Sequence, residues 1–292
     1  MAVISDVYRA EDLDDLLRRM SDPDAQPRIL AGGTDLLLKY PTSDEESLAL
    51  IDVTHVEALT GIAEGPDGIR IGSAVSLADV MGSELVRDRF GVLADGASVV
   101  AGPQIRNLAT LGGNVCNASP SADCIPPLLV LNARAELRSA EGQRSVPLDE
   151  FFVGPGQTVL DPGEVLASLE LPWPATGSVA SYSKVSPRQA MDLAVVGVAV
   201  ALAKVDGELV TRIALGAVAP TPLRAPAAED YVRSVGRLDE TVAAEAGRLA
   251  EEAVSPIDDV RGSARYRRAM VRRVVTRDLL RGYEELNGEA VA

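Results

Sequence analysis

The 292-residue chain holds a single histidine, His55, and only two cysteines, Cys116 and Cys124. Two thiols and one imidazole cannot supply the four protein ligands of a zinc site or of an iron–sulfur cluster. A Ser-His-Asp or Cys-His mechanism would have to run through His55 alone. Redox chemistry in this chain therefore needs an organic cofactor. Aromatic residues are scarce at 3%, with one tryptophan. Basic residues are outnumbered, 28 Lys plus Arg against 43 Asp plus Glu. The resulting net charge of −15 repels phosphate backbones and argues against a nucleic-acid partner. The longest apolar run, 193–203, is roughly half of what a bilayer span requires, so no membrane span is expected. Residues 1–6 lack the basic and apolar regions of a secretory signal, so a cytoplasmic protein is the expectation.

What is present is ample apolar material, 47% of residues, in a chain long enough for two domains. Apolar positions 13, 16, 17 and 20 predict a helix over 11–20, with acids in its first turn and arginines in its last. Strands are predicted at 28–31, 48–53, 69–72, 135–138 and 165–171, and helices at 76–81, 92–101 and 128–131. Pro172 to Gly177 reads as a linker. Beyond it, 181–185, 193–205 and 209–217 read as three strands, the last two joined by an Asp206-Gly207 hairpin turn. Helices follow at 239–253 and 263–281. The fold expectation is α+β, with one domain over 1–175 and a smaller one over 176–292.

Two segments carry candidate chemistry. In Ala31-Gly32-Gly33-Thr34-Asp35, a glycine pair between a strand and a helix start can turn several N–H groups toward one point. That arrangement suits a pyrophosphate, although an ordinary strand–helix turn has the same composition. A dinucleotide fingerprint is absent, because the second G-x-x-G spacing is missing, and so is a P-loop. Thr110-Leu111-Gly112-Gly113-Asn114 offers a second set of donors, and Asp123 adds a carboxylate for sugar or ribityl hydroxyls. Two glycine cradles without clustered lysines point to a nucleotide-type ligand held by uncharged amides. Cys116 and Cys124 read as small buried apolar residues, and His55 as a surface or interdomain histidine. Arg261, Arg265, Arg267, Arg268, Arg272, Arg273, Arg277 and Arg281 crowd the last helical region, either as a solvated face or as a docking surface for an acidic partner.

Taken in order, Ile29 to Leu36, Gln104 to Asn114, Ser119 to Asp123, Tyr182-Ser183-Lys184, Gly216 to Pro222 and Asp259 to Arg267 resemble the FAD-binding medium subunits of molybdenum hydroxylases. These are the subunits of the xanthine dehydrogenase and carbon monoxide dehydrogenase type, and the resemblance covers nearly the whole chain. It implies a two-part FAD-binding domain of the vanillyl-alcohol-oxidase (PCMH) type, followed by the smaller α+β C-terminal domain of these flavoproteins. It implies that Ile29, Leu30, Ala31, Gly32, Gly33, Thr34, Asp35 and Leu36 wrap the FAD diphosphate together with Thr110, Gly112, Gly113 and Asn114. Asp123 would bond FAD hydroxyls, Leu166 would pack near the flavin, and Lys184 would be a polar contact. Val100 stands where the family often has an aromatic residue against the ring. No attachment motif surrounds His55, so the implied FAD is non-covalent. Molybdopterin and [2Fe–2S] clusters would belong only to partners, a molybdopterin large subunit and an iron–sulfur small subunit. Electrons would pass through FAD to NAD or another acceptor near the 186–192 loop, with no catalytic acid–base residue in this chain. The alternative is a stand-alone FAD oxidase or dehydrogenase with its own organic substrate, disfavoured because no cluster supplies a base near the flavin.

Overall fold

The computed structural model describes residues 3–22, 27–39, 47–188 and 190–288. The helix expected near the N-terminus forms as α1 (Leu13–Met20), behind strand β1 (Val3–Arg9). Asp12 caps it by accepting from the Asp15 N–H, which satisfies one of the unpaired amides of the first turn. Strand β2 (Arg28–Leu30), helix α2 (Leu36–Lys39) and strand β3 (Ser47–Asp52) complete a three-stranded parallel sheet of order β1-β3-β2. Strand β1 was not expected from the pattern, because it runs along a sheet edge and lacks a buried, alternating face.

Strands β4 (Ile62–Glu64) and β5 (Gly68–Gly72) lead into a run of short helices. These are α3 (Leu77–Gly82), α4 (Glu84–Arg89), α5 (Gly91–Ser98), α6 (Pro103–Arg106), α7 (Leu111–Cys116) and α8 (Ile125–Val130). Ser76, Ser83 and Thr110 cap α3, α4 and α7 with their hydroxyls. Next come β6 (Arg134–Ser139), β7 (Gly142–Pro147), the small pair β8 (Phe152–Gly154) and β9 (Gln157–Thr158), and β10 (Val165–Pro172). An antiparallel sheet of order β4-β5-β10-β6-β7 results, and the central β10 is buried on both faces.

The second half is a four-stranded antiparallel sheet of β11 (Val179–Val185), β12 (Val196–Val205), β13 (Glu208–Gly216) and β14 (Leu223–Arg224). Its β12–β13 hairpin turns at Asp206 and Gly207, both at positive φ (52° and 84°), as the sequence signal required. Helices α9 (Pro226–Val235), α10 (Glu240–Glu252) and α11 (Ala264–Leu286) cover one face. Helix α9 escaped the sequence reading although Pro226 opens it and a left-handed Gly236 closes it. The sheet sorts its side chains by alternation. Val196, Val198, Val200 and Leu202 join the helical core, whereas Ala199 and Ala214 join the core of the first half.

Arg267, one of the eight clustered arginines, is buried. It donates to the Val195 and Ala217 carbonyls (3.0 and 2.8 Å) and to Asp259 (2.7 Å), so it staples the C-terminal motif to the sheet. No described helix is long and apolar enough to cross a membrane.

Helix α8 is buried along its whole length and packs against α5 and against β11, β12 and β13. Removing side-chain volume there opens a cavity bounded by both halves. Leu128→Ala is expected to lower the unfolding free energy by about 2–5 kcal/mol, measured by chemical denaturation.

Candidate functional site

The chain leaves β2 through Ala31 and enters a loop in which Gly33 adopts φ +68°, a backbone that glycine tolerates best. Among the described residues, the amides of Gly32, Gly33, Thr34 and Asp35 donate to no protein acceptor. The loop packs against the two residues that lead into the second glycine segment: a Cβ on Gly32 would stand 1.9 Å from the Leu108 carbonyl oxygen. Lys39 at the end of α2 donates to Asn117 Oδ1 just beyond α7, a second tie between the two segments. The sequence-predicted residues Ile29 to Leu36 and Thr110 to Asn114 are thus brought together.

The two segments do different work. The glycines of Thr110 to Asn114 were expected to offer converging amides, but those amides are engaged. Leu111 N–H donates to the Val75 carbonyl, Gly112 N–H to the Ser73 carbonyl (2.9 Å) and Gly113 N–H to the Thr110 hydroxyl (3.0 Å). The segment is the first turn of α7, seated so closely that a Cβ on Gly112 would lie 2.5 Å from Ser73 Cβ. What it leaves open is the side chain of Asn114, whose Oδ1 is buried without a hydrogen-bond partner. Leu166, on β10 one residue before the Ala167 carbonyl that accepts from Ser73 N–H, is 5% exposed and packs in the core.

Val100 is half-buried at the end of α5. Arg106 holds this turn by donating to the Val100 and Ala101 carbonyls (2.9 and 3.0 Å), with Ala101 at φ 42°. Lys184 reaches the same turn from β11, donating to the Val99 carbonyl (3.0 Å) and to Asp123 Oδ2 (2.8 Å). Tyr182, on the same strand face, donates to Asp123 Oδ1 (2.8 Å). Asp123 and Lys184 therefore face each other, buried between the two halves of the chain. The third N–H of Lys184 has no acceptor among the described residues. Burial pushes the Asp123 carboxyl above the usual carboxylate range, with Lys184 and Tyr182 pulling back against it. Burial also raises Cys116, to about 12, and Cys124 further, so both stay as inert thiols. His55 is exposed beyond β3.

Ser73, Val99, Arg106 and Tyr182 were given no role from sequence. Three of them act through backbone carbonyls or on them, which leaves no residue-type signal, but Tyr182 shares its strand face with Lys184 by simple alternation. Replacing Lys184 by methionine leaves the Asp123 carboxylate buried and uncompensated. Lys184→Met is expected to cost about 3–5 kcal/mol near neutral pH. The loss shrinks as pH falls, because the variant's Asp123 pKa rises further and protonation removes the buried charge; unfolding curves across pH check this.

Comparison with known proteins agrees with this architecture. Residues 3–174 match the family model described as the FAD binding domain in molybdopterin dehydrogenase, and 181–281 match the CO dehydrogenase flavoprotein C-terminal domain. The chain is 34% identical over 263 residues to a xanthine dehydrogenase FAD-binding subunit of Escherichia coli, covering 89% of each chain. It is 34% identical over 255 residues to the carbon monoxide dehydrogenase medium chain of Hydrogenophaga pseudoflava, covering 86% of this chain and 88% of that one. A solved carbon monoxide dehydrogenase from Hydrogenophaga pseudoflava, in a form lacking the Mo-pyranopterin moiety of its cofactor, superposes with a TM-score of 0.92 at 30% identity, covering 98% and 99% of the two chains. With an FAD-binding domain followed by the flavoprotein C-terminal domain, the chain belongs to the FAD-binding flavoprotein subunits of the molybdenum hydroxylases, the oxidoreductase family of xanthine and carbon monoxide dehydrogenases.

Proposed function

We propose that the chain is the electron-transfer flavoprotein of a molybdenum hydroxylase complex, and that it holds FAD non-covalently across the two glycine segments and the Asp123–Lys184 pair. The observation that carries this reading is the run of four N–H groups from Gly32 to Asp35 that no described residue claims. Successive amides around a left-handed glycine form a concave nest for an anion, which fits a diphosphate without any lysine cluster. The orphaned Asn114 Oδ1 fits a hydroxyl or amine donor, and the third N–H of Lys184 fits an acceptor. In this reading Ile29, Leu30, Ala31 and Leu36 shape the first loop, Thr110, Gly112 and Gly113 seat the second, and Val100 offers an aliphatic surface. Leu166 supports them from behind α7. Protonated thiols and an exposed His55 support non-covalent binding.

When bound, FAD supplies the chemistry that joins one-electron donors to two-electron acceptors. The chain's own residues bind and orient it, and none is required to move a proton. The proposed donor is an iron–sulfur small subunit, with molybdopterin on a large subunit; the name medium chain carried by relatives supports such an assembly. NAD is the proposed acceptor, approaching beside the 186–192 loop, where Met191 is exposed and its Sδ lies near Gly102. Gln189 of that loop lies outside the described residues. Two unbridged thiols fit a reducing compartment, the cytoplasm.

The purified full-length protein is expected to be yellow, with FAD released by acid or heat. Gly32→Ala drives the first loop off the Leu108 carbonyl and is expected to weaken FAD binding about tenfold or more while circular dichroism stays unchanged. An FAD complement untouched by Gly32→Ala would overturn this placement of the site. Co-purified partners should bring molybdenum and iron, and deletion of the 186–192 loop should slow reduction of NAD.

A further inference from the structure

Among the described residues, the hydroxyl of Tyr182 has a single partner, the Asp123 carboxylate at 2.8 Å. The ring around it is half-buried and packs on the core of the first half, so a phenylalanine would fill the same space. Packing therefore does not account for the hydroxyl. Its effect is on Asp123. The carboxylate sits between the halves with one oxygen taken by Lys184 and the other by Tyr182, both reaching from alternate positions of β11. Cys124 is the other titratable group facing it, and that thiol is held protonated by burial. On the α5 side, Gly96 lies against the Asp123 backbone carbonyl, and the Val99 carbonyl beyond that helix shares the Lys184 ammonium.

The opposite strand accommodates this arrangement. Gly197 on β12 pairs with Lys184 in register, and a Cβ on Gly197 would lie 2.8 Å from the Tyr182 oxygen. Any larger residue there pushes the hydroxyl away from the carboxylate, since the phenol end is the part that can move. The space that lets Tyr182 reach Asp123 is therefore built by the absence of one side chain.

We propose that Tyr182 is a positioning residue of the cofactor site, fixing the Asp123 carboxylate so that Lys184 keeps one N–H free toward the bound FAD. The proposal rests on the site reading given above, in which Lys184 contacts the cofactor. Without the hydroxyl, Asp123 loses one of its two donors. The carboxylate then turns toward Lys184 to regain a bond, or it takes up a proton at a higher pH than in the parent protein. The first response takes the Lys184 N–H that the cofactor uses, and the second removes the charge that holds the Lys184 ammonium in place.

The test is FAD titration of the full chain, followed by flavin fluorescence, across a pH series. Tyr182→Phe is expected to weaken FAD binding about tenfold near neutral pH, the size of one lost hydrogen bond to a charged group. The acid limb of the binding curve is expected to move to higher pH. Gly197→Ala keeps the phenol but displaces it, and is expected to move the same limb in the same direction. In an Asp123→Asn background, which has no carboxylate to titrate, Tyr182→Phe is expected to leave the shape of the pH profile unaltered. Superimposable acid limbs for the parent protein and Tyr182→Phe overturn the proposal, whatever the affinity at neutral pH. Failure of the underlying site reading looks different: Gly32→Ala then leaves FAD affinity unchanged in the same titration.

Discussion

The buried pairing of Asp123 with Lys184 is the constraint that organises the molecule. It joins a turn of the first half to a strand of the second across 61 residues of sequence. An ion pair of this kind is a poor source of stability, because the cost of desolvating both charges offsets most of their attraction. Its value is geometric. An apolar pair would tolerate a slide of β11 along its neighbour, whereas Lys184 must meet both Asp123 and the Val99 carbonyl. That requirement fixes the strand register, and with it the place of the Val99–Ala101 turn that Arg106 braces from below.

The small residues of the second sheet follow from the same constraint. For Lys184 and Tyr182 to reach Asp123, the sheet must come close to α8, and Gly197, Ala199, Ala201 and Ala214 let it. The opposite face carries Val196, Val198, Val200 and Leu202 against the helices. Alternation of small and branched residues along one strand thus builds an interdomain seam on one side and a domain core on the other.

Features governed by local rules were legible in the sequence. The Asp206-Gly207 hairpin, the capped α1 and the glycine loop after β2 each follow from residues within a few positions of one another. The edge strand β1 was not legible, because an exposed strand has no apolar period. The site was legible as a set of segments, but not as a division of labour. Nothing in Thr110-Leu111-Gly112-Gly113-Asn114 reveals that its amides are engaged by the Val75 and Ser73 carbonyls and by Thr110, since two of these acceptors are backbone atoms of a different segment. Alternation places Tyr182 beside Lys184, but its partner, 59 residues away, leaves no local signal.

That division of labour bears on how a chain of net charge −15 can hold an anionic cofactor. A lysine cluster would answer the diphosphate with monopoles, and its long-range field would compete with the many carboxylates of the surface. Backbone amides answer with dipoles, whose field falls off quickly and is little affected by distant charges. The Lys184 ammonium is already matched by Asp123, so that pair adds direction to the binding without adding net charge. Because the second segment has engaged its amides in seating α7, the first loop must supply the N–H groups, and it can do so only if nothing else in the chain claims them. Among the described residues, the four amides from Gly32 to Asp35 have no acceptor and meet that requirement. The close contact of Gly32 with the Leu108 carbonyl holds the loop against the second segment, where any side chain would force it away.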